Sequence, residues 1–158
     1  MSFSPFYLPP YLHRMMDHIY IGDHRAAIDY DRFDLVVNLD YPANGVKKGE
    51  YVESAYSPKT KLIRIGVEDN EQADLSFVRA LTEVMTDYVN RGKRILLYSH
   101  EGTGRAPAVL SSYLITRYKF NPTDLMNMYR SSNYRPNMNI GFVRQLARLS
   151  DANKFYKK

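Results

Sequence analysis

RILLYSHEGTGRAP, residues 94–107, decides the fold of this chain. Arg94 to Tyr98 is an apolar run with the length and composition of a buried strand. A polar loop with two glycines follows, Ser99 to Gly104, and a helical pattern resumes at Ala106 and runs to about Tyr118. A loop that leads from a buried parallel strand into a helix is a natural anion site, because backbone N–H groups turn inward and the helix dipole adds positive potential. Gly102 and Gly104 let the backbone curl closely around a ligand. Arg105, at the helix start, offers a planar fork of donors that matches a phosphate. A plain strand–helix turn with a surface arginine would share this spacing.

Outward from this segment, strands alternate with helices. His18 to Gly22 reads as a short strand ended by glycine, and Arg25 to Asp29 as a short helix capped by Asp23. Leu35 to Leu39 is a continuous apolar run, and Lys61 to Val67 is a further strand. Between them, residues 41–60 carry Pro42, Gly45, Gly49 and Pro58 and read as loop or hairpin. Asp74 is placed to cap a helix whose face is Phe77, Leu81, Val84, Met85 and Tyr88, stopped at Arg91-Gly92. Asn121-Pro122-Thr123-Asp124 opens another helix, and a last one follows Asn139 with Phe142, Leu146 and Leu149 in register. The pattern predicts an α/β fold, a central, mainly parallel twisted sheet flanked by helices. A chain of 158 residues without repeats or linkers suits one domain, 1–158, with residues 1–17 as an extended N-terminal segment rich in aromatics and proline.

Composition narrows the function classes. The chain has no cysteine, which excludes disulfides, thiolate metal sites and a cysteine nucleophile. No apolar run approaches the length of a membrane span, and the N-terminus lacks a basic-then-apolar signal pattern. The expectation is an intracellular protein, cytoplasmic or nuclear. The net charge is +5, a balance compatible with nucleic acid, anionic surfaces or phosphorylated ligands. The basic residues are scattered, apart from the Lys154, Lys157, Lys158 tail, so nucleic acid is not the expected partner.

Ser99-His100-Glu101-Gly102-Thr103-Gly104-Arg105 resembles the Cys-x5-Arg phosphate loop of the protein tyrosine phosphatase superfamily, with Ser99 at the cysteine position. Ala106-Pro107 is similar to the loop ending of the phosphatases of regenerating liver. Ile19 to Gly22 with Ala26-Ala27, Val36 to Leu39, and Asn139-Ile140-Gly141-Phe142 resemble the dual-specificity phosphatases in order and spacing. The resemblance implies a phosphatase-like domain that acts on phosphotyrosine and phosphoserine or phosphothreonine through a cysteinyl-phosphate intermediate. It implies phosphate binding by His100, Glu101, Gly102, Thr103, Gly104 and Arg105, and no cofactor or metal. Asp69, thirty positions before Ser99, corresponds to the general acid, with Asp74 as its rival. Asn139 corresponds to a residue that supports the loop by bonding its backbone. Phosphorylated protein or peptide is the implied partner, with phosphoinositides or RNA 5′-phosphates as the alternative substrates.

Four departures bear on activity. Ser99 offers an alcohol where a thiolate is needed, and the adjacent His100 makes a Ser–His pairing conceivable. Tyr98 stands where a histidine ordinarily helps hold the thiol pKa low, and Ala106 lacks the hydroxyl that assists turnover. Met138 stands where a proline often precedes the Asn-x-Gly-Phe segment. Two readings of Ser99 follow: a cysteine replaced in an otherwise active enzyme, or a pseudophosphatase that binds phosphorylated partners without hydrolysis.

Overall fold

Three runs without polar alternation form the parallel heart of a six-stranded sheet: Ile19–Gly22 (β2), Leu35–Asn38 (β3) and Ile95–Tyr98 (β6). Every residue in them is buried, as strands covered on both faces require. The computed structural model describes residues 8–156, with side chains to residue 153. β6 lies between β2 and β3, parallel to both, and Lys61–Ile65 (β5) extends the parallel set beside β3. Tyr51–Ala55 (β4) and Leu12–Met16 (β1) close the edges antiparallel, giving the order β1-β2-β6-β3-β5-β4.

The period-two alternation of these strands builds two cores. Ile19, Ile21, Leu35, Val37, Ile95 and Leu97 pack on the helical side with Leu81, Met85, Phe142 and Leu146. Tyr20, Val36, Leu96 and Tyr98 face the other way, onto Leu12, Ala26, Tyr30 and Phe33. The helical layer comprises Val78–Asn90 (α1), Arg105–Tyr118 (α2), Pro122–Ser131 (α3) and Ile140–Tyr156 (α4). All residues of α2 from Arg105 to Ile115 are buried, because the helix packs on the sheet with α1 and α4 against it. The helix that follows the loop is thus buried through its first three turns, its N-terminus included.

The α/β class, the mainly parallel sheet and the flanking helices are as the sequence predicts. Several local expectations are corrected. Asp74 does not cap α1. Its carboxylate accepts from the N–H and hydroxyl of Ser76 in a preceding turn, and the helix starts at Val78 after Phe77. The segment after Asp23 is a 3-10 helix, His24–Arg32, although Asp23 does accept from Arg25 N–H. Within the expected extended segment 1–17, residues 12–16 are drawn into the sheet by backbone pairing with β2, and residues 1–7 lie outside the described residues. The hairpin in 41–60 is β4 turning into β5.

Candidate active site

The loop between β6 and α2 sits at the carboxyl ends of the parallel strands. Gly102 takes φ +79°, and a Cβ there would meet the backbone of Gly22 at 3.0 Å and Asp23 at 3.1 Å. Both the left-handed backbone and the close approach therefore require glycine. The loop is held from outside: His24 N–H donates to His100 C=O at 3.0 Å, Asn137 N–H to Thr103 C=O at 2.6 Å, and the Tyr134 hydroxyl to Gly102 C=O. With the carbonyls so engaged, the N–H groups of His100 to Gly104 meet no acceptor among the described residues. Unmatched donors in one turn, at the N-terminus of a buried helix, are an arrangement suited to an anion, a candidate cradle.

Ser99 is buried at the base of this cradle, 1% exposed, and its Oγ accepts from Ala106 N–H at 3.2 Å. Arg105 is 8% exposed. Its Nη1 donates to the carbonyls of Tyr41 at 2.8 Å and Val67 at 3.0 Å, which pins the guanidinium plane. Its Nε has no partner among the described residues, and its Nη2 lies 4.0 Å from Asp40 Oδ1. The Nε–Nη2 edge is the side on which a guanidinium takes two oxygens of one oxyanion. Burial lowers the Arg105 pKa, and the carboxylates of Asp40, Asp69 and Glu101 pull it back up. An arginine stays charged through such a shift.

Asp69 lies over the loop: a Cβ on Gly104 would overlap its Oδ2, so the glycine makes room for the carboxylate. Asn139 Nδ2 donates to Asp69 Oδ1 at 2.7 Å while its Oδ1 accepts from Phe142 N–H at 2.9 Å. The expected contact from Asn139 to loop backbone is replaced by this grip on Asp69, because the residue serves as the cap of α4. Asp74, the rival acid, is engaged with Ser76 instead.

His100 turns outward. Its ring stacks on His24 with centroids 4.7 Å apart, and its Nδ1 is 3.4 Å from Asp40 Oδ1. This arrangement turns the imidazole to His24 and Asp40, and the Ser–His pairing is not formed. Glu101 is likewise exposed at the rim, so His100 and Glu101 can offer the cradle their backbone rather than their side chains. Tyr98 is 2% exposed, and its hydroxyl lies 2.5 Å from that of Tyr30, which also accepts from Asn38 Nδ2 at 3.0 Å. Burial, with the neighbouring Tyr30 hydroxyl, raises the Tyr98 pKa, so the phenol is neutral and lends no positive charge to Ser99. Sequence reasoning missed Asp40, the carbonyls of Tyr41 and Val67, and Tyr134. Of these only Asp40, following the apolar run of β3, had a signal: a charged residue at the carboxyl end of a parallel strand. Asp40, Tyr41, Asp69, Ser99, Gly104 and Arg105 line one cleft of about 510 Å³.

Known proteins share this fold. Residues 19–152 match the family described as dual specificity phosphatase, catalytic domain. The 123R protein of Invertebrate iridescent virus 6, named for tyrosine phosphatases, is 23% identical over 150 residues, 90% of this chain and 97% of the viral one. Human DUSP28 is 25% identical, with 93% of this chain and 97% of that one covered at a TM-score of 0.77. A mouse protein of the dual specificity phosphatase kind, solved complexed with zinc tungstate, is 23% identical, with 99% of this chain and 96% of that one covered at a TM-score of 0.78.

Proposed function

The chain belongs to the dual specificity phosphatase catalytic-domain family, and we propose that its loop from Ser99 to Arg105 binds phosphomonoesters of phosphorylated protein or peptide without hydrolysing them. The observation that carries this reading is the pairing of free loop N–H groups with the unpartnered Nε of a buried, pinned Arg105. A buried donor left unmatched costs about 1–3 kcal/mol, which an oxyanion relieves. The tungstate of the mouse neighbour's complex is a tetrahedral oxyanion like phosphate. Hydrolysis in this family needs a thiolate to attack phosphorus while an acid protonates the leaving oxygen. Ser99 supplies an alcohol that keeps its proton, and its Oγ receives a hydrogen bond from Ala106 N–H and makes none to a base among the described residues.

A second reading is favoured by Asp69. Its carboxylate is kept over the loop and held by Asn139, an arrangement with a use in protonating a leaving group and little use in binding a dianion. On that reading Ser99→Cys turns phosphomonoesters over through a cysteinyl-phosphate, which water then cleaves. Neutral Tyr98 leaves that thiol less acidic than a histidine would, so the activity rises at higher pH than in Ser99→Cys/Tyr98→His.

The test is phosphopeptide binding by anisotropy, with aryl phosphate hydrolysis in parallel. The chain is expected to bind phosphopeptide over its unphosphorylated twin and to show background turnover. Arg105→Ala is expected to weaken binding by about 2–3 kcal/mol, the range for a charge-assisted bidentate contact. Unchanged affinity in Arg105→Ala removes the binding reading. Ser99→Cys separates the two readings: a burst and steady turnover mark a latent enzyme, and binding without turnover marks a pseudophosphatase. Ordinary turnover by the Ser99 chain defeats both.

A further inference from the structure

The cleft around Arg105 has the opposite charge to the molecule. The chain carries +5 overall, yet the cleft is lined by three carboxylates, Asp40, Asp69 and Glu101, against one guanidinium and the imidazole of His100. All three carboxylates act on the Arg105 guanidinium. Asp40 is the nearest: its Oδ1 is 4.0 Å from Nη2, its side chain is 12% exposed, and its own N–H is tied to Asn38 Oδ1 at 2.8 Å. Arg25 and Lys48, in the adjoining pockets, are already taken by Asp23 at 2.6 Å and Glu68 at 2.9 Å. A phosphate dianion seated on Arg105 thus enters a cleft whose carboxylates outnumber its cations.

We propose that this field selects the substrate class: the site takes a phosphorylated residue flanked by lysine or arginine, with Asp40 and Glu101 as the specificity-determining acids, and excludes polyanions such as phosphoinositide headgroups and RNA 5′-phosphates. The proposal rests on the phosphate-binding reading. The loop N–H groups and Arg105 hold the phosphate, and the ligand's own cations neutralise the carboxylates around it. A second phosphate in the same place meets like charge from Asp40 and Glu101, a juxtaposition that suppresses wrong partners.

The experiment is anisotropy at 0.15 M salt with matched phosphotyrosine peptides, one with lysine and arginine on both sides and one with glutamate. The unphosphorylated basic peptide, an inositol bisphosphate and a 5′-phosphorylated RNA oligomer serve as competitors. The basic phosphopeptide is expected to bind about tenfold tighter than the acidic one and to resist both polyanions. Glu101→Gln, at an exposed position, and Asp40→Asn, nearly isosteric, are each expected to shrink the preference about threefold. Asp40→Asn is also expected to tighten inorganic phosphate. Phosphate-dependent binding with no flank preference, or effective competition by either polyanion, overturns the proposal and leaves the phosphate site standing. Equal binding of the unphosphorylated basic peptide overturns it too, since the attraction is then general. No phosphate-dependent binding by any probe overturns the site itself.

Discussion

Asn139 uses the two ends of one amide for two tasks, the Oδ1 to cap α4 through Phe142 N–H and the Nδ2 to hold Asp69. Substitutions can separate them. Asn139→Ser keeps a capping oxygen and loses the reach to Asp69, whereas Asn139→Ala loses both. In a Ser99→Cys background, Asn139→Ser is expected to leave the melting temperature almost unchanged. It should slow hydrolysis of phosphates with poor leaving groups about tenfold or more, with little effect on those whose leaving group needs no proton. Asn139→Ala is expected to show the same selectivity and to cost in addition about 1 kcal/mol of stability. Equal loss for good and poor leaving groups would assign Asn139 to the shape of the loop and leave Asp69 without a positioning partner. The same scale shows how adjacent residues divide a task. Ser99 points into the cradle while His100 stacks outside it on His24, so the neighbour in sequence is not the neighbour in chemistry.

Helix α2 carries the site on an element that is buried nearly all round, and it ends in a strained position. Its C-terminal cap, Lys119, takes φ 60°, ψ 34°, where its N–H bonds to Ile115 and Leu114 carbonyls. This is the left-handed conformation that glycine adopts without penalty and other residues adopt at roughly 1 kcal/mol. Lys119→Gly is therefore expected to stabilise the chain by about 1 kcal/mol, seen as a rise of about 2–4 °C in melting temperature for a domain of this size. Phosphate binding, at the other end of the helix, should not change. A fall in melting temperature would mean that the Lys119 contact with the Thr116 carbonyl outweighs the backbone strain. The cap of α3 shows the contrast: Asn121 and Asp124 form a reciprocal capping box that needs no strained backbone.

Across the whole molecule, edge strand β1 reaches the loop from Ser99 to Arg105 through Tyr134. His13 of β1 packs edge-on against Tyr134 with centroids 5.1 Å apart, and the Tyr134 hydroxyl donates to Gly102 C=O. Burial lowers the His13 pKa from 6.5, with the Asp23 charge pulling it partly back. The unfolded chain therefore binds this proton first. The stability linked to neutral His13 is complete above its unfolded pKa and is lost as pH falls through the lower folded value. Melting temperatures at pH 7.5 and 5.5 are expected to differ by less in His13→Gln than in the parent. An unchanged difference would place the acid sensitivity elsewhere. No helix in the described residues is long and apolar enough to cross a membrane.

What could be read from the sequence alone were the features written in consecutive residues. The apolar runs of β2, β3 and β6 announce strands buried on both faces, because nothing but a doubly covered sheet accepts such a run. The glycines and Arg105 of SHEGTGR announce an anion loop, because their conformational and donor properties are local. Those signals sufficed for the α/β class, for the loop and for the resemblance that led to the family. Caps and edges were less legible. Asp74 has the composition of a helix cap and is spent on Ser76, and β1 lacks a pattern of its own because an edge strand is defined by the partner that it pairs with. The charge of the cleft was legible only in part: the resemblance put Asp69 and Glu101 at the loop, and their convergence with Asp40 was not readable. Asp40, Asp69 and Glu101 are widely scattered along a basic chain, and only the crossover of β3, β5 and β6 gathers them around one guanidinium. Local conformation depends on neighbours along the chain, so sequence determines it. An electrostatic field depends on distances through space, so here the tertiary structure alone decides which carboxylates Arg105 meets.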